Sequence, residues 1–320
     1  MKTKQESIFS SKTLTYFLQL SETMNYTQAA QILGITQPAL TQQIKKLERT
    51  VGARLFYSVG KKLRLTDAGY TMLDATHQIY DVLNQATDEI QQSTSATQGD
   101  INIGLLASVE DSVFEDFTIQ SYRENPDVKI TLHMLTRKEI WDKLENNQID
   151  LAIMYLPDES IKNWKPYESK QIISDDLLFI HHDEKLAKKK RIKFADTPNK
   201  PWTTYPTNYY LNHVMREAYK NAMVDLPISV AQFTTPEQLL KFSKQTGAYT
   251  ALPNSFVVGQ GEQDNTWTAR FEPNIRFELA FVFRTGKDKI PRIGHFLAQF
   301  DQYLKTKDYL SRLQEIEQNK

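Results

Sequence analysis

The chain of 320 residues has 39 basic and 39 acidic side chains, a hydrophobic fraction of 40% and no cysteine. This composition predicts a folded protein of two or three units, and it excludes disulfides, thiolate metal ligands and cysteine nucleophiles. No stretch approaches 18 uncharged apolar residues, and the polar start of the chain lacks an apolar signal core. We therefore expect a cytoplasmic protein with neither a membrane span nor a secretory signal.

The charges are distributed unevenly along the chain. Residues 1–66 carry ten Lys or Arg and three acids, a net charge of +7, which leaves −7 for the remainder. A basic segment attached to an acidic body is typical of a protein whose one end meets phosphate groups. Chance clustering of lysines is the alternative at this stage.

The first predicted elements are three helices. Apolar residues recur at spacings of three and four over residues 14–20, which predicts a helix with one buried face. Asn25 is suited to cap a second helix, and Gly34 suits the left-handed position that ends it. Thr36 is suited to cap a third helix. Two capped helices joined by a short turn with glycine form a helix-turn-helix, here residues 26–49.

The third helix is predicted to bury Leu40, Ile44 and Leu47 and to expose amides, hydroxyls and cations on its other side. Such amides and hydroxyls read base edges in the major groove of DNA, while Lys and Arg neutralise phosphates. Strands at 55–57 and 63–65 predict a hairpin with a basic tip, a wing. A solvated polar helix face is the alternative. The predicted DNA-binding residues are Thr27, Gln37, Pro38, Thr41, Gln42, Lys45, Arg49, Lys61, Lys62 and Arg64.

A long helix is predicted from the capping pair Thr66-Asp67 to about Ser93. Its apolar residues alternate spacings of four and three, as in the seam of a coiled coil, and an isolated helix of this length needs a partner. We expect the partner to be a second copy of the chain, with packing against the chain's own body as the alternative. The predicted dimerisation residues are Met72, Ile79, Leu83, Ala86 and Ile90.

Strands and helices alternate beyond a polar hinge at residues 93–100, which predicts parallel strands covered by helices. Ligands bind such folds at loops that follow the carboxyl ends of strands, where hydroxyls and helix N-termini suit a carboxylate. Ordinary helix capping is the alternative, most clearly for Thr136 and Thr235. The predicted effector-binding residues are Ser108, Thr136, Tyr205, Pro206, Thr207, Thr234 and Thr235.

Other motifs predict neither catalysis nor metal binding. The run at 181–184 contains two histidines but no spaced third ligand, and the basic run at 185–193 is interpreted as a solvated face. The sequence has no glycine-rich phosphate loop or nucleophile elbow, so no catalytic or metal-binding residue is predicted and we do not expect an enzyme. An enzyme with a DNA-binding appendage and an architectural DNA binder without a ligand are the alternatives.

Residues 14–69 resemble the N-terminal domain of LysR-type transcriptional regulators. The matching stretches are Leu14–Phe17, Tyr26–Ala30, Thr36–Ile44, Leu47-Glu48, Gly52–Phe56 and Leu65–Gly69. Later segments, Glu145–Ile153 and Gly247–Pro253, are also similar to segments of the family's effector domain. The family often has Arg where this chain has Gln42, so an adenine contact would replace a guanine contact here.

The resemblance implies an α/β multidomain protein with three parts. A winged helix-turn-helix would occupy 1–66, a linker helix that pairs with a second subunit 67–94, and a two-lobed, periplasmic-binding-protein-like effector domain 95–320. The first lobe would comprise about 101–162 and 273–305, the second about 163–272, with crossings near 157–166 and 269–276.

The resemblance also implies the function of a transcriptional regulator. Its partners would be double-stranded DNA, a small-molecule coinducer in the interlobe cleft, often anionic, and further copies of itself in a dimer or tetramer. RNA polymerase is a further candidate partner, and no other cofactor is expected. A repressor or architectural protein that needs no ligand is the alternative.

Overall fold

The computed structural model describes residues 10–60, 62–91, 95–158, 166–197, 200–261 and 265–318. The chain divides into two compact units, which we call the head (Met1–Thr87) and the body (Asp88–Lys320). Within the described ranges, no helix combines the length and the apolar character that crossing a membrane requires.

The head contains helices and one hairpin in the predicted order. Its elements are α1 (Ser11–Thr23), α2 (Tyr26–Ile32), α3 (Gln37–Val51), β1 (Phe56–Val59), β2 (Lys62–Leu65) and most of α4 (Asp67–Gln91), whose last four residues belong to the body. The Asn25 side chain accepts the backbone N–H groups of Thr27 and Gln28 at 3.0 and 3.2 Å, which satisfies two donors at the start of α2. Gly34 has a φ of +63°, the left-handed conformation that the turn between α2 and α3 requires.

The wing strands are displaced slightly from their predicted bounds. β1 begins at Phe56 rather than Leu55, and the carboxylate of Glu48 accepts the backbone N–H of Leu55 at 2.8 Å. The hairpin ladder starts where Phe56 pairs with Leu65. Glu48 therefore fixes the first strand of the wing to α3.

The body contains two α/β lobes. Its strands are β3 (Gly99–Leu106), β4 (Val128–Leu135), β5 (Leu151–Leu156), β6 (Tyr167–His181), β7 (Arg191–Lys193), β8 (Trp202–Thr204), β9 (Ser229–Gln232), β10 (Thr250–Pro253), β11 (Trp267–Glu272) and β12 (Arg276–Arg284). Its helices are α5 (Ser112–Glu124), α6 (Arg137–Glu145), α7 (Tyr210–Asn221), α8 (Pro236–Thr246), α9 (Asn254–Gly259), α10 (Pro291–Thr306) and α11 (Tyr309–Gln318).

Lobe I is built on the strand order β4-β3-β5-β12-β6, in which β3, β4 and β5 are parallel and β12 is antiparallel to both of its neighbours. In lobe II, β10 and β11 are antiparallel to β6, and β7 is parallel to β11. A separate parallel pair joins β8 to β9. The prediction of parallel strands alone is therefore wrong for the strands that carry the chain between the lobes.

One strand belongs to both lobes. The Tyr167–Asp176 part of β6 pairs with β12 in lobe I, and the pairing with β10 and β11 in lobe II begins at Leu177. The sequence analysis placed the start of lobe II at about 163; the exchange of pairing partners lies further along the strand, between Asp176 and Leu177. The hinge at 93–100 is also shorter than predicted, since β3 already starts at Gly99. Residues 92–94 of the linker and 159–165 of the predicted crossing lie outside the described residues.

Candidate nucleic-acid interface and interlobe cleft

Helix α3 separates its apolar and polar residues onto opposite faces. Leu40, Ile44 and Leu47 are completely buried in the core of the head. The opposite face forms a groove of about 440 Å³ that is lined by six of the predicted DNA-binding residues. These residues are Gln37, Pro38, Thr41, Gln42, Lys45 and Arg49.

Two of these polar side chains are joined at the first turn of α3. The Gln37 side-chain amide donates to the Thr41 hydroxyl at 3.0 Å, and that hydroxyl donates to the Gln37 carbonyl oxygen at 3.0 Å. A primary amide has a second N–H and a carbonyl oxygen, which together match the edge of adenine. The contact holds Gln37 in one orientation before any ligand is bound.

Cationic side chains extend this surface. Lys45 and Arg49 on α3 and Lys62 and Arg64 on the wing are all exposed. Thr27 is exposed in the first turn of α2. Lys61 lies outside the described residues. The described cations are thus available to solvent on the helix and on the wing, as contact with phosphates requires.

Glu48 has a positioning role that the sequence analysis missed. Its carboxylate accepts the backbone N–H groups of Leu55 and Phe56 at 2.8 and 3.3 Å. Tyr26 lies within electrostatic range, and burial together with the charge of Glu48 raises the pKa of its phenol to about 12. The carboxylate therefore connects the start of the wing to the helix that precedes it.

The predicted dimerisation residues of α4 fall into two groups. Met72 is only 9% exposed and packs in the core of the head, so its assignment to an intermolecular seam is wrong. The others are exposed, and Val82, which was not predicted, is exposed as well at 66%. We call these exposed residues the apolar stripe; they are Ile79, Val82, Leu83, Ala86 and Ile90.

The predicted effector residues do not all meet at one site. Ser108 and Tyr205 are buried, and Thr234 is exposed. Thr136 forms a capping box with Glu139 at the start of α6, which is the alternative that the sequence left open. Thr235 occupies the N-cap position of α8 without a side-chain hydrogen bond to the helix.

A cleft of about 650 Å³ opens between the two lobes. Lobe I contributes Arg137 and Asp158, and lobe II contributes the segment Thr207–Tyr210. Of the seven predicted effector residues, Thr207 lines this cleft; the half-buried Pro206 precedes it in the chain. The volume lies within the range of pockets that bind small molecules.

Arg137 is the main cleft residue that the sequence analysis missed. It forms an ion pair with Asp158, donates to the Tyr155 carbonyl oxygen at 2.8 Å, and lies with its guanidinium carbon 4.3 Å from the centre of the Tyr210 ring. Trp141 donates to the same Asp158 carboxylate at 2.7 Å. Burial lowers the pKa of Arg137, and the charge of Asp158 opposes that effect.

A second arginine on the cleft is also paired. The Nε of Arg276 lies 3.2 Å from a carboxylate oxygen of Asp176, and the Nε of Arg270 approaches the other oxygen of this group at 3.6 Å. The two cleft arginines, Arg137 and Arg276, thus each have an aspartate partner. The Nε of the buried Arg137 nevertheless makes no hydrogen bond within the described chain.

The two histidines of the run at 181–184 are engaged in packing and hydrogen bonds. His181 is buried between Phe179 and Trp267, with ring centres 5.3 and 5.9 Å away, and burial lowers its pKa to about 4. His182 bonds to the Ser243 hydroxyl at 2.9 Å. Over the described parts of the chain, no three acids or histidines are grouped as a metal ion would need.

Two family models match the chain. The model described as "LysR substrate binding domain" matches residues 94–305, and the model described as "Bacterial regulatory helix-turn-helix protein, lysR family" matches residues 11–70. Among curated relatives, the HTH-type transcriptional regulator YwbI of Bacillus subtilis is 28% identical over 278 residues, which cover 86% of this chain and 90% of YwbI. The HTH-type transcriptional activator CmpR of Synechocystis sp. is 27% identical over 187 residues, and the chain spans 60% of its length.

Solved structures of full length are similar in fold. A full-length OxyR variant from Pseudomonas aeruginosa matches with a TM-score of 0.60 at 17% identity, covering 95% of this chain and 97% of that protein. Full-length CbnR in complex with its target DNA matches with a TM-score of 0.51 at 19% identity, covering 92% and 99%. At these identities the similarity concerns the fold.

Proposed function

Because the chain belongs to the LysR family of bacterial helix-turn-helix transcriptional regulators, we propose that its head reads a specific sequence of double-stranded DNA under the control of a small molecule bound by its body. The observation that carries this proposal is the composition of the exposed face of α3. Amides and a hydroxyl occupy its first turns, cations follow, and the opposite face is fully buried. That order suits a helix whose N-terminal part enters the major groove.

The proposal divides the DNA contacts by chemistry. Gln37, Thr41 and Gln42 contact base edges, because amides and hydroxyls discriminate between bases. Lys45, Arg49, Lys62 and Arg64, with Lys61, contact phosphates and supply most of the affinity. Thr27 and Pro38, at the starts of α2 and α3, border the base-reading residues.

The proposed regulator acts as a dimer or tetramer of this chain. The apolar stripe on α4 exposes apolar side chains along one side of the helix, as interaction surfaces do, and a second copy of the chain would cover it. The body also exposes apolar side chains on both lobes. Lobe I exposes Ile119, Tyr122 and Met134, and lobe II exposes Met223, Leu226, Ile228 and Val230.

The effector would bind in the interlobe cleft, where its contacts with both lobes would change their relative orientation. Thr207 lines the cleft, whereas Ser108 and Tyr205 are buried. Such a regulator acts in the cytoplasm, where RNA polymerase is a candidate contact. We propose no catalytic step, because the family consists of regulators.

Selection of binding sites from random DNA with the full chain, followed by anisotropy titrations, tests the proposal. We expect Gln42→Ala to relax the base preference at one position of the half-site, and Lys62→Ala to weaken binding to all sequences and lower the salt slope by about 1. Gln120→Ala and Lys241→Ala change exposed residues of the body and serve as controls. Failure to enrich any sequence contradicts the proposal. If Gln42→Ala weakens binding to specific and to random DNA equally, Gln42 does not contact a base.

A further inference from the structure

One arginine on the wall of the interlobe cleft has a donor that the protein leaves unused. Arg137 begins α6, and its side chain is 14% exposed. One Nη lies in the ion pair with Asp158, and the other donates to the Tyr155 carbonyl oxygen at 2.8 Å. The Nε is buried and makes no hydrogen bond within the described chain. A buried donor without an acceptor is unusual in a folded protein, and it points to a ligand group that completes the site.

The unused edge of Arg137 has the geometry that a carboxylate requires. A guanidinium is planar, and its Nε–H points the same way as one N–H of the adjacent Nη, so the two oxygens of one carboxylate can accept from both. Burial lowers the pKa of Arg137, but an arginine keeps its proton throughout the physiological range of pH. An anion would therefore meet a permanent positive charge at this edge, and the bonds to Asp158 and Tyr155 could remain in place.

The cleft that Arg137 lines is large enough to hold a small molecule. Its volume is about 650 Å³, and lobe II contributes the rings of Tyr209 and Tyr210 to its wall. The apolar side chains of Pro157 and Ile275 also line it. Aromatic rings and aliphatic side chains favour a ligand with an apolar body, and an aromatic body packs well against tyrosine rings.

The other charged side chains of the cleft limit the ligand to one negative charge. Two acids line the cleft, Asp158 and Glu217. The second cleft arginine, Arg276, is already paired with Asp176, and its side chain is 64% exposed. Among the described residues that line the cleft, Arg137 is thus the cation with a buried donor to offer. A second negative charge on the ligand would lie near the two acids without a cation of its own, which is unfavourable.

A ligand at the Nε of Arg137 would also act on a contact between the lobes. The guanidinium carbon of Arg137, in lobe I, lies 4.3 Å from the centre of the Tyr210 ring, in lobe II. The Nε is shielded from water, so the ring or the guanidinium has to move before a carboxylate reaches it. Entry of the ligand would therefore alter how lobe II rests on lobe I at this wall.

We propose that the effector is an aromatic monocarboxylate, which places its carboxylate against the Nε edge of Arg137 and its ring beside the tyrosines of lobe II. This inference rests on the proposed effector role of the cleft. The sequence analysis expected a carboxylate at hydroxyls and helix N-termini, but the Thr136 hydroxyl next to Arg137 is engaged in its capping box. Arginine takes over that role here, because its fork of donors fits a carboxylate.

Calorimetric titration of the full chain tests the chemical class of the ligand. The monocarboxylate probes are benzoate, phenylacetate and cinnamate. The competitors are isophthalate, with two carboxylates, phenyl phosphate, with a different anionic group, and benzylamine, with a positive charge. We expect at least one monocarboxylate to bind at least tenfold more tightly than each competitor.

Three variants test the position of the site. Arg137→Gln removes the charge and should weaken binding of the best monocarboxylate at least tenfold. Arg137→Lys keeps a positive charge beside Asp158 but lacks the Nε edge, so it should weaken that binding at least tenfold as well, and it serves as the test should Arg137→Gln fail to fold. Arg123→Gln neutralises an exposed arginine on α5 of the same lobe and should leave the binding unchanged.

Three results would overturn the proposal: a competitor that binds within tenfold of the best monocarboxylate, no binding of any monocarboxylate, or binding that the folded Arg137 variants leave intact. Selection of DNA sequences by the full chain separates this proposal from the proposed function. Enriched sequences together with one of these results refute the aromatic monocarboxylate alone. Failure to enrich any sequence contradicts the proposed function, whichever probe binds.

Discussion

Replacing Asp175 by Asn should make the stability of the body less dependent on pH. Asp175 is 1% exposed, and burial raises its pKa from 3.8 to about 6. A carboxyl group with a raised pKa binds its proton more tightly in the folded state, so the free energy of unfolding falls as the pH rises from 3.8 to 6. The full loss corresponds to about 3 kcal/mol, of which about 2 kcal/mol develops between pH 4.5 and pH 7.5.

Urea unfolding of both proteins at several pH values between 4.5 and 7.5 measures this difference. The four tryptophans of the chain, at 141, 164, 202 and 267, all belong to the body, so their fluorescence follows that unit alone. Asn lacks the charge but retains an oxygen that accepts from Ser255, and the altered hydrogen bonds add a constant that does not vary with pH. Asp225→Asn, at an exposed aspartate, is the control. A gap between wild type and Asp175→Asn that stays constant over this range refutes the reasoning.

The structure predicts the effect of three further substitutions on stability or on dimer formation. Glu48→Ala removes the acceptor of the backbone N–H groups of Leu55 and Phe56, so it should destabilise the head by about 1–3 kcal/mol. A thermal melt followed by circular dichroism measures this loss, and an unchanged melting temperature would contradict it. Gly69→Ala places a Cβ 2.2 Å from the Leu55 carbonyl oxygen, so the same melt should show a loss of about 1–3 kcal/mol, and a stability equal to wild type would show that the backbone yields freely. Leu83→Glu puts a charge in the apolar stripe and should raise the dimer dissociation constant in sedimentation at least tenfold; an unaltered constant would exclude the stripe as the interface.

Short-range signals explain why the head was predictable. Asn25, Gly34 and Thr36 act through neighbours within a few residues, and the structure has each in the role predicted from its type. The buried face of α3 likewise follows from the helical period alone. The burial of Met72 could not be predicted in this way, because the spacing of apolar residues is the same whether a residue packs against a second chain or in the core of its own domain.

Long-range pairing explains what the sequence could not reveal about the body. Nothing near Arg137 indicates that its guanidinium will lie on Tyr210, more than seventy positions away in the chain. The hydroxyl of Tyr309 on α11 likewise donates to the Glu110 carbonyl oxygen, 199 positions away in the chain. For Thr136 the sequence left both roles open, because capping and ligand binding require the same hydroxyl at the same position.

The continuity of β6 through both sheets has a mechanical consequence. Since the strand changes partners between Asp176 and Leu177 without a loop, the lobes cannot slide past each other there and are left to bend or twist about that peptide. A bend at that peptide would rotate the two parts of the strand about a point beside Asp175. The part back to Tyr167 is about 30 Å long, so a bend of about 10° displaces the far end by about 5 Å. A ligand that shifts atoms only slightly near Asp175 would thereby move the outer edge of lobe I by several times that distance.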